Sequence, residues 1–305
     1  MNSRIPLAIA IPQTFLDGRV DTRRIRDVVQ RAEQLGFESA WVVEQIVSRI
    51  CALEPVELLT FVAAVTTRLR VGAAVLLSGM HNPVQLAKRL ATLDQLSDGR
   101  LDVGVGLGNA RVWVNNGLAT EDRAERFAEG LQVMKRLWTE PRVTFGGKFY
   151  RLQDAPMEPK PRQRPHPPLW FGGHHPNALR RAVTMGDGFM GAGSASTAEF
   201  AAEMKILRGL LAEAGRDPAT FPIGKRVYIA VDDDAGRAAG RLGEWFGAFY
   251  GRPEMATQVA VWGDAKTCRD RLADVLDAGA RSLLLNPVFD EPEQLERLAA
   301  LAPKL

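Results

Sequence analysis

The fold is indicated first by the stretch LRVGAAVLLSGMHNPVQLAKRLATLDQLSDGRLDVGVGL, residues 69–107, in which two apolar runs flank one amphipathic segment. The runs LRVGAAVLL (69–77) and LDVGVGL (101–107) are continuous rather than alternating, which is typical of parallel strands covered on both faces. Pro83 is a favourable first residue for the helix between them, and that helix is expected to stop near Gly99. The stretch therefore predicts a strand, a helix and a second parallel strand.

The same alternation continues along the chain. Six further apolar runs are predicted strands: 5–11, 39–44, 168–173, 188–193, 223–231 and 281–288. Further helices are predicted from Asp21 to Gly36, from Pro55, and over about 121–138, 176–186, 197–214, 234–250, 265–278 and 291–301. Eight strands, each followed by a helix, predict a (β/α)8 TIM barrel. A doubly wound sheet would accept the same alternation, but the strand count and the lack of a boundary linker favour one barrel domain over residues 1–305.

One segment, residues 139–167, interrupts the alternation between the fourth helix (about 121–138) and the fifth strand. It contains VTFGGKFY (143–150), which resembles a hairpin with Gly146 and Gly147 as its turn, followed by a proline-rich connector. We expect this insertion among the loops at the carboxyl ends of the strands, where barrel active sites form. It is predicted either to wall or cover the site or to be a packed excursion without a role.

Composition excludes several classes of function. The 305-residue chain is 46% hydrophobic and 25% charged, with a net charge of +3, which is ordinary for a globular protein. Its arginines are mixed with acids, so no nucleic-acid partner is expected. Cys51 and Cys268 are too few for a disulfide framework, and no dense set of His, Asp or Glu suggests a metal site. Since neither a signal peptide nor a membrane-spanning stretch is recognisable, we expect a cytoplasmic protein without a membrane partner.

The glycines of DVGVGLGN (102–109) do not fit a dinucleotide-binding loop. Such a loop needs G-x-G-x-x-G at the first strand-to-helix turn, whereas Gly104, Gly106 and Gly108 are spaced by two and Asn109 stands where the third glycine is required. At the end of a barrel strand, Gly104 and Gly106 are instead expected to leave room for a flat ligand. Asn109 would contribute an amide that can donate and accept hydrogen bonds.

A second glycine-rich turn lies in PLWFGGHHPNALRR (168–181). The predicted strand ends in Gly172 and Gly173, and a helix begins directly afterwards at Pro176. Because the free N–H groups and the dipole at a helix N-terminus favour an anion, this turn is predicted to hold a phosphate, with His174 as an additional donor. The alternative is a tight turn with exposed histidines.

Polar residues also follow the second and third predicted strands. Glu44 and Gln45 close the second strand and His81 follows the third, at the end of a barrel where catalytic groups are found. We therefore consider Glu44, Gln45 and His81 candidate catalytic residues. Equally simple structural roles are open to them, because Glu44 could pair with Arg49 and His81 could brace the turn before Pro83.

Four of these segments together resemble the bacterial-luciferase-like flavin and deazaflavin oxidoreductases. The residues that carry the resemblance are 81–109 and 168–190, with weaker matches at 32–45 and 125–150. The resemblance implies a barrel with an insertion before the fifth strand, usually dimeric, that binds FMN or the deazaflavin F420 at the carboxyl ends of its strands. It also implies a bulge with a non-prolyl cis peptide against the cofactor ring, here at Ala74–Val75, and a phosphate seat at Gly172, Gly173 and the following helix start.

The function implied is F420-dependent hydride transfer to or from a small organic substrate. Ala74 and Val75 would back the ring, Asn109 would bond its polar edge, and Gly172, Gly173 and His174 would hold the phosphate. Gln45 departs from the histidine found there in many F420-dependent members, so the proton is expected from water, Glu44 or His81. The alternatives are an FMN-dependent monooxygenase with a flavin reductase partner, and a non-redox ligand-binding barrel.

The substrate itself is not indicated by the sequence. Its specificity is expected to depend on residues 111–118, on the insertion and on residues 245–252, which carry Trp113 and Trp245. For Trp113, core packing is the favoured reading. We further expect a homodimer, on the resemblance alone.

Overall fold

The computed structural model describes residues 5–302 and has the predicted barrel architecture. Eight parallel strands form a closed sheet. Each strand pairs with the next along the chain, and the eighth strand pairs with the first. Each strand lies within one of the predicted apolar runs. The strands are β1 (Leu7–Ala10), β2 (Ser39–Val42), β3 (Arg70–Ala73), β4 (Leu101–Val105), β5 (Leu169–Gly172), β6 (Gly188–Gly191), β7 (Ile223–Val231) and β8 (Ser282–Asn286).

The helices around this barrel begin and end where the sequence predicts. Asp21 accepts a hydrogen bond from the Arg24 amide at the start of the first helix, and Gly36 ends that helix at φ 81°. The helices are α1 (Thr22–Leu35), α2 (Pro55–Val65), α3 (Pro83–Leu96), α4 (Ala110–Asn115), α5 (Arg123–Thr139), α6 (Pro176–Met185), α7 (Thr197–Glu213), α8 (Ala235–Tyr250), α9 (Met255–Val259), α10 (Ala265–Asp277) and α11 (Glu291–Leu301). The short helices α4 and α9 are not predicted from the sequence.

Three small β features lie outside the barrel. Strand Val261–Gly263 adds to the outer end of β7, and Thr14–Phe15 pairs antiparallel with Cys51–Ala52. The predicted hairpin also forms, but Val143–Gly146 pairs with Arg151–Ala155, and residues 147–150 form its turn. The turn predicted at Gly146 and Gly147 is therefore displaced by a few residues towards the C-terminus. The displacement has a physical cause, because the Glu129 carboxylate accepts hydrogen bonds from the amides of Lys148, Phe149 and Tyr150 and holds the turn against α5.

The insertion lies only in part where it is predicted, because the tip of its hairpin reaches the start of α5 but the rest of it does not lie among the loops at the carboxyl ends of the strands. The hairpin packs on the outside of α5, and the connector after it runs to the amino ends of the strands, where Gln163 bonds to Asp94 and to the Leu101 carbonyl. The insertion follows a helix rather than a strand, and helix-to-strand connections lie at the amino end of a barrel. None of its residues lines the large cleft described below.

The interior of the barrel is closed across its middle by a small apolar layer. Ala8, Trp41, Met190 and Leu284 pack together there, and Trp170 meets Trp41 edge to face with ring centroids 5.8 Å apart. A cleft of about 660 Å3 lies at the carboxyl ends of the strands and a cavity of about 300 Å3 at the amino ends, and Met190 lines both. No helix between residues 5 and 302 is both long and apolar enough to cross a bilayer.

Candidate active site

The cleft at the carboxyl ends of the strands brings together all six predicted cofactor-binding residues. Its lining includes Ala74, Val75, Asn109, Gly172, Gly173 and His174. Its volume of about 660 Å3 is within the range of small-molecule and cofactor sites. This end of a barrel is also where active sites are found.

The floor of the cleft is a bulge that follows β3. The peptide bond between Ala74 and Val75 is cis, at the position expected from the sequence. The Ala74 amide donates to the Val42 carbonyl of β2, and the Leu76 amide donates to the Gly104 carbonyl of β4. The bulge is thus held by both neighbouring strands.

Glycines in β4, β5 and the segment directly after β4 make room for this bulge. A Cβ atom on Gly104 would lie 1.8 Å from the Ala73 carbonyl oxygen, and one on Gly106 would lie 2.4 Å from a Val75 methyl group. A Cβ on Gly172 would lie 2.9 Å from the other Val75 methyl. The expectation that Gly104 and Gly106 leave space for a flat ligand is therefore corrected, since the space is taken by the backbone and side chain of the bulge.

Glu44 and His81 are brought together behind the bulge. Glu44 is buried; one carboxylate oxygen accepts from the Leu77 amide, and the other lies 2.7 Å from His81 Nε2. This hydrogen bond raises the pKa of His81, against the opposing effect of burial. Neither side chain lines the cleft. The alternative pairing of Glu44 with Arg49 is not formed.

Gln45 lies apart from this pair. It follows β2, is half-buried and does not line the cleft. Of the three candidate catalytic residues, Glu44 and His81 therefore form one unit, and Gln45 is separate from it.

Asn109 lines the cleft at the start of α4. Its side-chain oxygen accepts a hydrogen bond from the Val112 amide at 3.0 Å and caps that helix. The amide NH2 is consequently the part of this side chain that can serve a ligand. Trp113 of the same helix is buried, and its indole donates to the Leu107 carbonyl at 2.7 Å, so it belongs to the core as expected.

The predicted phosphate turn lies between β5 and α6. Gly173 has φ 144°, a conformation that favours glycine, and His175 caps α6 by accepting from the Asn177 amide. His174 lies between two partners. Its Nδ1 is 2.8 Å from a carboxylate oxygen of Glu203, and its Nε2 is 3.1 Å from the Ser194 hydroxyl.

A buried polar network supports this turn from below. Glu203 of α7 is 6% exposed, and its second carboxylate oxygen has no hydrogen-bond partner. Lys225 of β7 donates to the Ala192 and Ala195 carbonyls of the loop that carries Ser194. Burial lowers the pKa of Lys225 to about 8, with nearby Glu203 opposing the shift. The positions of His174 and Ser194 are thus fixed by α7 and β7.

Four ionisable residues of the cleft are not singled out by the sequence. They are Arg123, Arg181, Arg226 and Tyr250. Arg226 of β7 donates to the Asn286 side chain and packs 4.9 Å from the Tyr228 ring centroid, while the Tyr250 hydroxyl lies 2.8 Å from that of Tyr228. The sequence places two adjacent arginines, Arg180 and Arg181, in α6. It does not show which of the two faces the cleft.

The charges of the cleft all have one sign. Its ionisable lining consists of three arginines, two histidines and Tyr250, with no aspartate or glutamate among the residues that line it. In the part of the chain that the structure describes, no cluster of three His, Cys, Asp or Glu side chains could hold a metal. The cleft can therefore hold a planar molecule on an apolar floor, with an anionic group beside His174.

The last turns of α8 contribute only in part to this cleft. Tyr250 lines it, whereas Trp245 is buried in a second apolar cluster and stacks on Phe249 with centroids 4.5 Å apart. Trp245 instead borders a narrow cavity of about 30 Å3 beside β1 and β8.

The family model described as luciferase-like monooxygenase matches residues 7–282. An F420-dependent glucose-6-phosphate dehydrogenase of Nakamurella multipartita is 30% identical over 282 residues, covering 88% of this chain and 80% of the relative. An FMNH2-dependent dimethylsulfone monooxygenase of Pseudomonas putida is 31% identical over 226 residues, covering 72% and 61%. For another F420-dependent glucose-6-phosphate dehydrogenase, of Intrasporangium calvum, the match covers 53% of the relative.

Solved structures agree in fold. An F420-dependent secondary alcohol dehydrogenase in complex with an F420–acetone adduct superposes with a TM-score of 0.86 at 20% identity, covering 99% of each chain. The monooxygenase RslO1 from Streptomyces bottropensis gives 0.84 at 24% identity, covering 99% of this chain and 98% of the other. At these identities the likeness concerns the barrel alone.

Proposed function

The chain belongs to the luciferase-like monooxygenase family, and on that premise we propose that it is an F420-dependent oxidoreductase acting on a small organic substrate. The family includes both F420-dependent oxidoreductases and FMN-dependent monooxygenases. The observation that carries the proposal is the cleft, with its floor of Ala74 and Val75 and its entirely basic charged lining. F420 is preferred because an F420-dependent relative aligns over 88% of the chain.

The residues present fit such a cofactor. Val75 fits between Gly106 and Gly172 and lines the cleft with an apolar side chain. A phosphate would lie at the turn of Gly173, where His174 adds a ring nitrogen held by Glu203, because the first amides of α6 are already bonded to His175. The Asn109 NH2 would meet the polar edge of the ring. When bound, F420 would supply hydride transfer, and the protein would supply position and environment.

Glu44 and His81 are proposed to act through the bulge. Because Glu44 holds both the Leu77 amide and His81, this pair fixes the backbone that supports the ring. We consider them positioning residues, and direct proton transfer from either would require them to reach the cleft. Gln45 does not line the cleft either, and it would have to reach it in order to orient the ring or the substrate. The protein would work as a homodimer in the cytoplasm, without a metal.

The FMN-dependent alternative is favoured by one observation. The Pseudomonas putida relative, at 31% identity, is named for FMNH2. A protein of that kind would use O2 and receive reduced flavin from a separate reductase.

Titration of the purified protein with F420 and with FMN, followed by fluorescence, tests the proposal. We expect saturable F420 binding and weaker FMN binding. Ala178→Trp fills the cleft and should abolish binding, whereas Arg180→Trp, on the exposed face of α6, should leave it intact. Tight binding of FMN without F420 would select the monooxygenase, and binding of neither would indicate a non-redox barrel.

A further inference from the structure

Two arginines on neighbouring helices face the cleft without an acidic partner. Arg123 begins α5 and Arg181 lies in the second turn of α6, and both are half-buried. Neither has a carboxylate oxygen within 4.0 Å among the residues of the structure's described range. By contrast, Arg70, which is also half-buried, is paired with the Asp102 carboxylate.

Two of the three acids within two residues of Arg123 in sequence, Asp122 and Glu125, are occupied elsewhere. Lys148, at the tip of the hairpin, lies 2.6 Å from an Asp122 oxygen and 3.0 Å from a Glu125 oxygen. Arg123 itself donates to the Gly108 carbonyl at 3.2 Å, which directs its guanidinium towards the loop that follows β4. The hairpin thus neutralises the outer face of α5 and leaves the cleft side positive.

Arg181 is held by an aromatic ring. Its guanidinium carbon lies 5.9 Å from the Phe127 ring centroid, and its side chain lines the cleft between α5 and α6. Burial, followed by repulsion from Arg123, lowers the pKa of Arg181, although an arginine of this kind stays protonated. Two guanidinium groups that repel each other in a cleft are relieved when an anion lies between them.

This pair is distinct from the phosphate turn. The phosphate turn is built from β5, the start of α6 and the loop after β6, whereas Arg123 comes from α5 and Arg181 lies beyond the first turn of α6. FMN ends in its phosphate. F420 continues past a phosphodiester through a lactyl group into an oligoglutamate tail, which carries carboxylates. Arginine is the residue best suited to bind carboxylates through two parallel hydrogen bonds.

We propose that Arg123 and Arg181 form a carboxylate site that binds the oligoglutamate tail of F420 and favours F420 over FMN. This inference rests on the proposed function. It assigns to the pair a role in recognising the part of the cofactor that takes no part in hydride transfer.

The test compares dissociation constants, measured by fluorescence, for F420 with several glutamates, for F420 without glutamates and for FMN. The wild-type protein should bind the tailed form about tenfold more tightly than the tailless form, as expected for charge-assisted hydrogen bonds. Arg181→Gln and Arg123→Gln should each bring this ratio towards one and change tailless binding little. Arg180→Gln removes the same charge from the exposed face of α6 and should keep the ratio.

The possible outcomes separate the inference from the proposed function. Equal binding of tailed and tailless F420 by the wild-type protein, a comparison that needs no variant, would overturn the inference and leave the function standing. Equal weakening of both forms by Arg181→Gln would also overturn it, because the arginine would then bind the phosphodiester. If no form of F420 binds, the proposed function fails and the inference fails with it.

Discussion

At the amino ends of the strands Arg70 forms two hydrogen bonds with buried Asp102, at 2.8 and 2.9 Å, whereas at the carboxyl ends Arg123 and Arg181 face a cleft without an acid. The amino-end cavity, about 300 Å3, is lined by Trp41, Trp170 and this paired arginine. The charge of Arg70 at the amino end is paired with a carboxylate of the protein. The charges of Arg123 and Arg181 at the carboxyl end are open to an anionic ligand. The difference indicates that the amino end stabilises the barrel and the carboxyl end binds.

The largest effect on stability is expected from Asp102→Ala. The substitution removes the partner of Arg70, which is 36% exposed in its side chain, so the free energy of unfolding should fall by about 2–3 kcal/mol, below the range for fully buried pairs. Urea denaturation measures this change. The dissociation constant for F420 should stay within about twofold, since the site lies at the other end of the barrel. A large loss of F420 affinity without loss of stability would contradict the division between the two ends.

Gly106→Ala should affect stability and binding together. The added Cβ would lie 2.4 Å from a Val75 methyl group, which must move, so we expect a loss of about 1–2 kcal/mol in unfolding free energy. F420 affinity should fall about tenfold or more because Val75 forms the cleft floor. Gly209→Ala is the matched control: this helical glycine has open space at its Cβ position, and the change should stabilise α7 slightly. Unchanged F420 binding by Gly106→Ala would show that the floor is not the ring site.

The Glu44–His81 pair predicts a pH dependence of smaller size. Its hydrogen bond raises the folded-state pKa of His81 above 6.5, so its contribution is complete below pH 6.5 and is lost as the pH rises through the folded-state pKa. His81→Gln should therefore lower the free energy of unfolding by about 1 kcal/mol at pH 6. The loss should become progressively smaller at alkaline pH, where the side chain at position 81 is uncharged in both the wild-type protein and the variant. Thermal unfolding from pH 5 to 9 measures the difference. A cost that grows with pH would reverse the assigned sign.

The smallest effect is expected from Arg181→Gln on the stability of the free protein. Removing one of two guanidinium groups that repel each other should leave the free energy of unfolding unchanged or raise it by about 0.5 kcal/mol at low salt. The gain should disappear at high ionic strength because salt screens the repulsion. Destabilisation of the size expected for Asp102→Ala would mean that Arg181 has an internal partner.

Much of this architecture follows from local patterns that the sequence displays. Continuous apolar runs such as 101–107 and caps such as Asp21, Pro83 and Gly36 specify strands and helix ends within a few residues, because each depends on neighbours in sequence. The cis bond at Ala74–Val75 is predictable only from the resemblance to the family, since no local rule distinguishes VGAAVLL from an ordinary strand.

What could not be predicted depends on contacts between distant segments. The hairpin turn differs from the prediction because the Glu129 carboxylate accepts hydrogen bonds from three amides of the turn. The insertion packs on the outer side of the barrel because it begins where α5 ends. The arginines of the cleft could not be identified among 39 lysines and arginines, since pairing distinguishes them and pairing is three-dimensional. Likewise, positions 104 and 106 require glycine because Ala73 and Val75, about thirty residues away in the sequence, pack against them.

The most direct test of the account is an experimental structure of the protein with F420 bound. We predict that the ring lies on Ala74 and Val75, that the phosphodiester lies within hydrogen-bond distance of His174 or the Gly173 backbone, and that the amino-end cavity stays free of cofactor. A ring found away from this bulge, or in the cavity beside Trp41 and Trp170, would contradict the assignment of the two ends of the barrel.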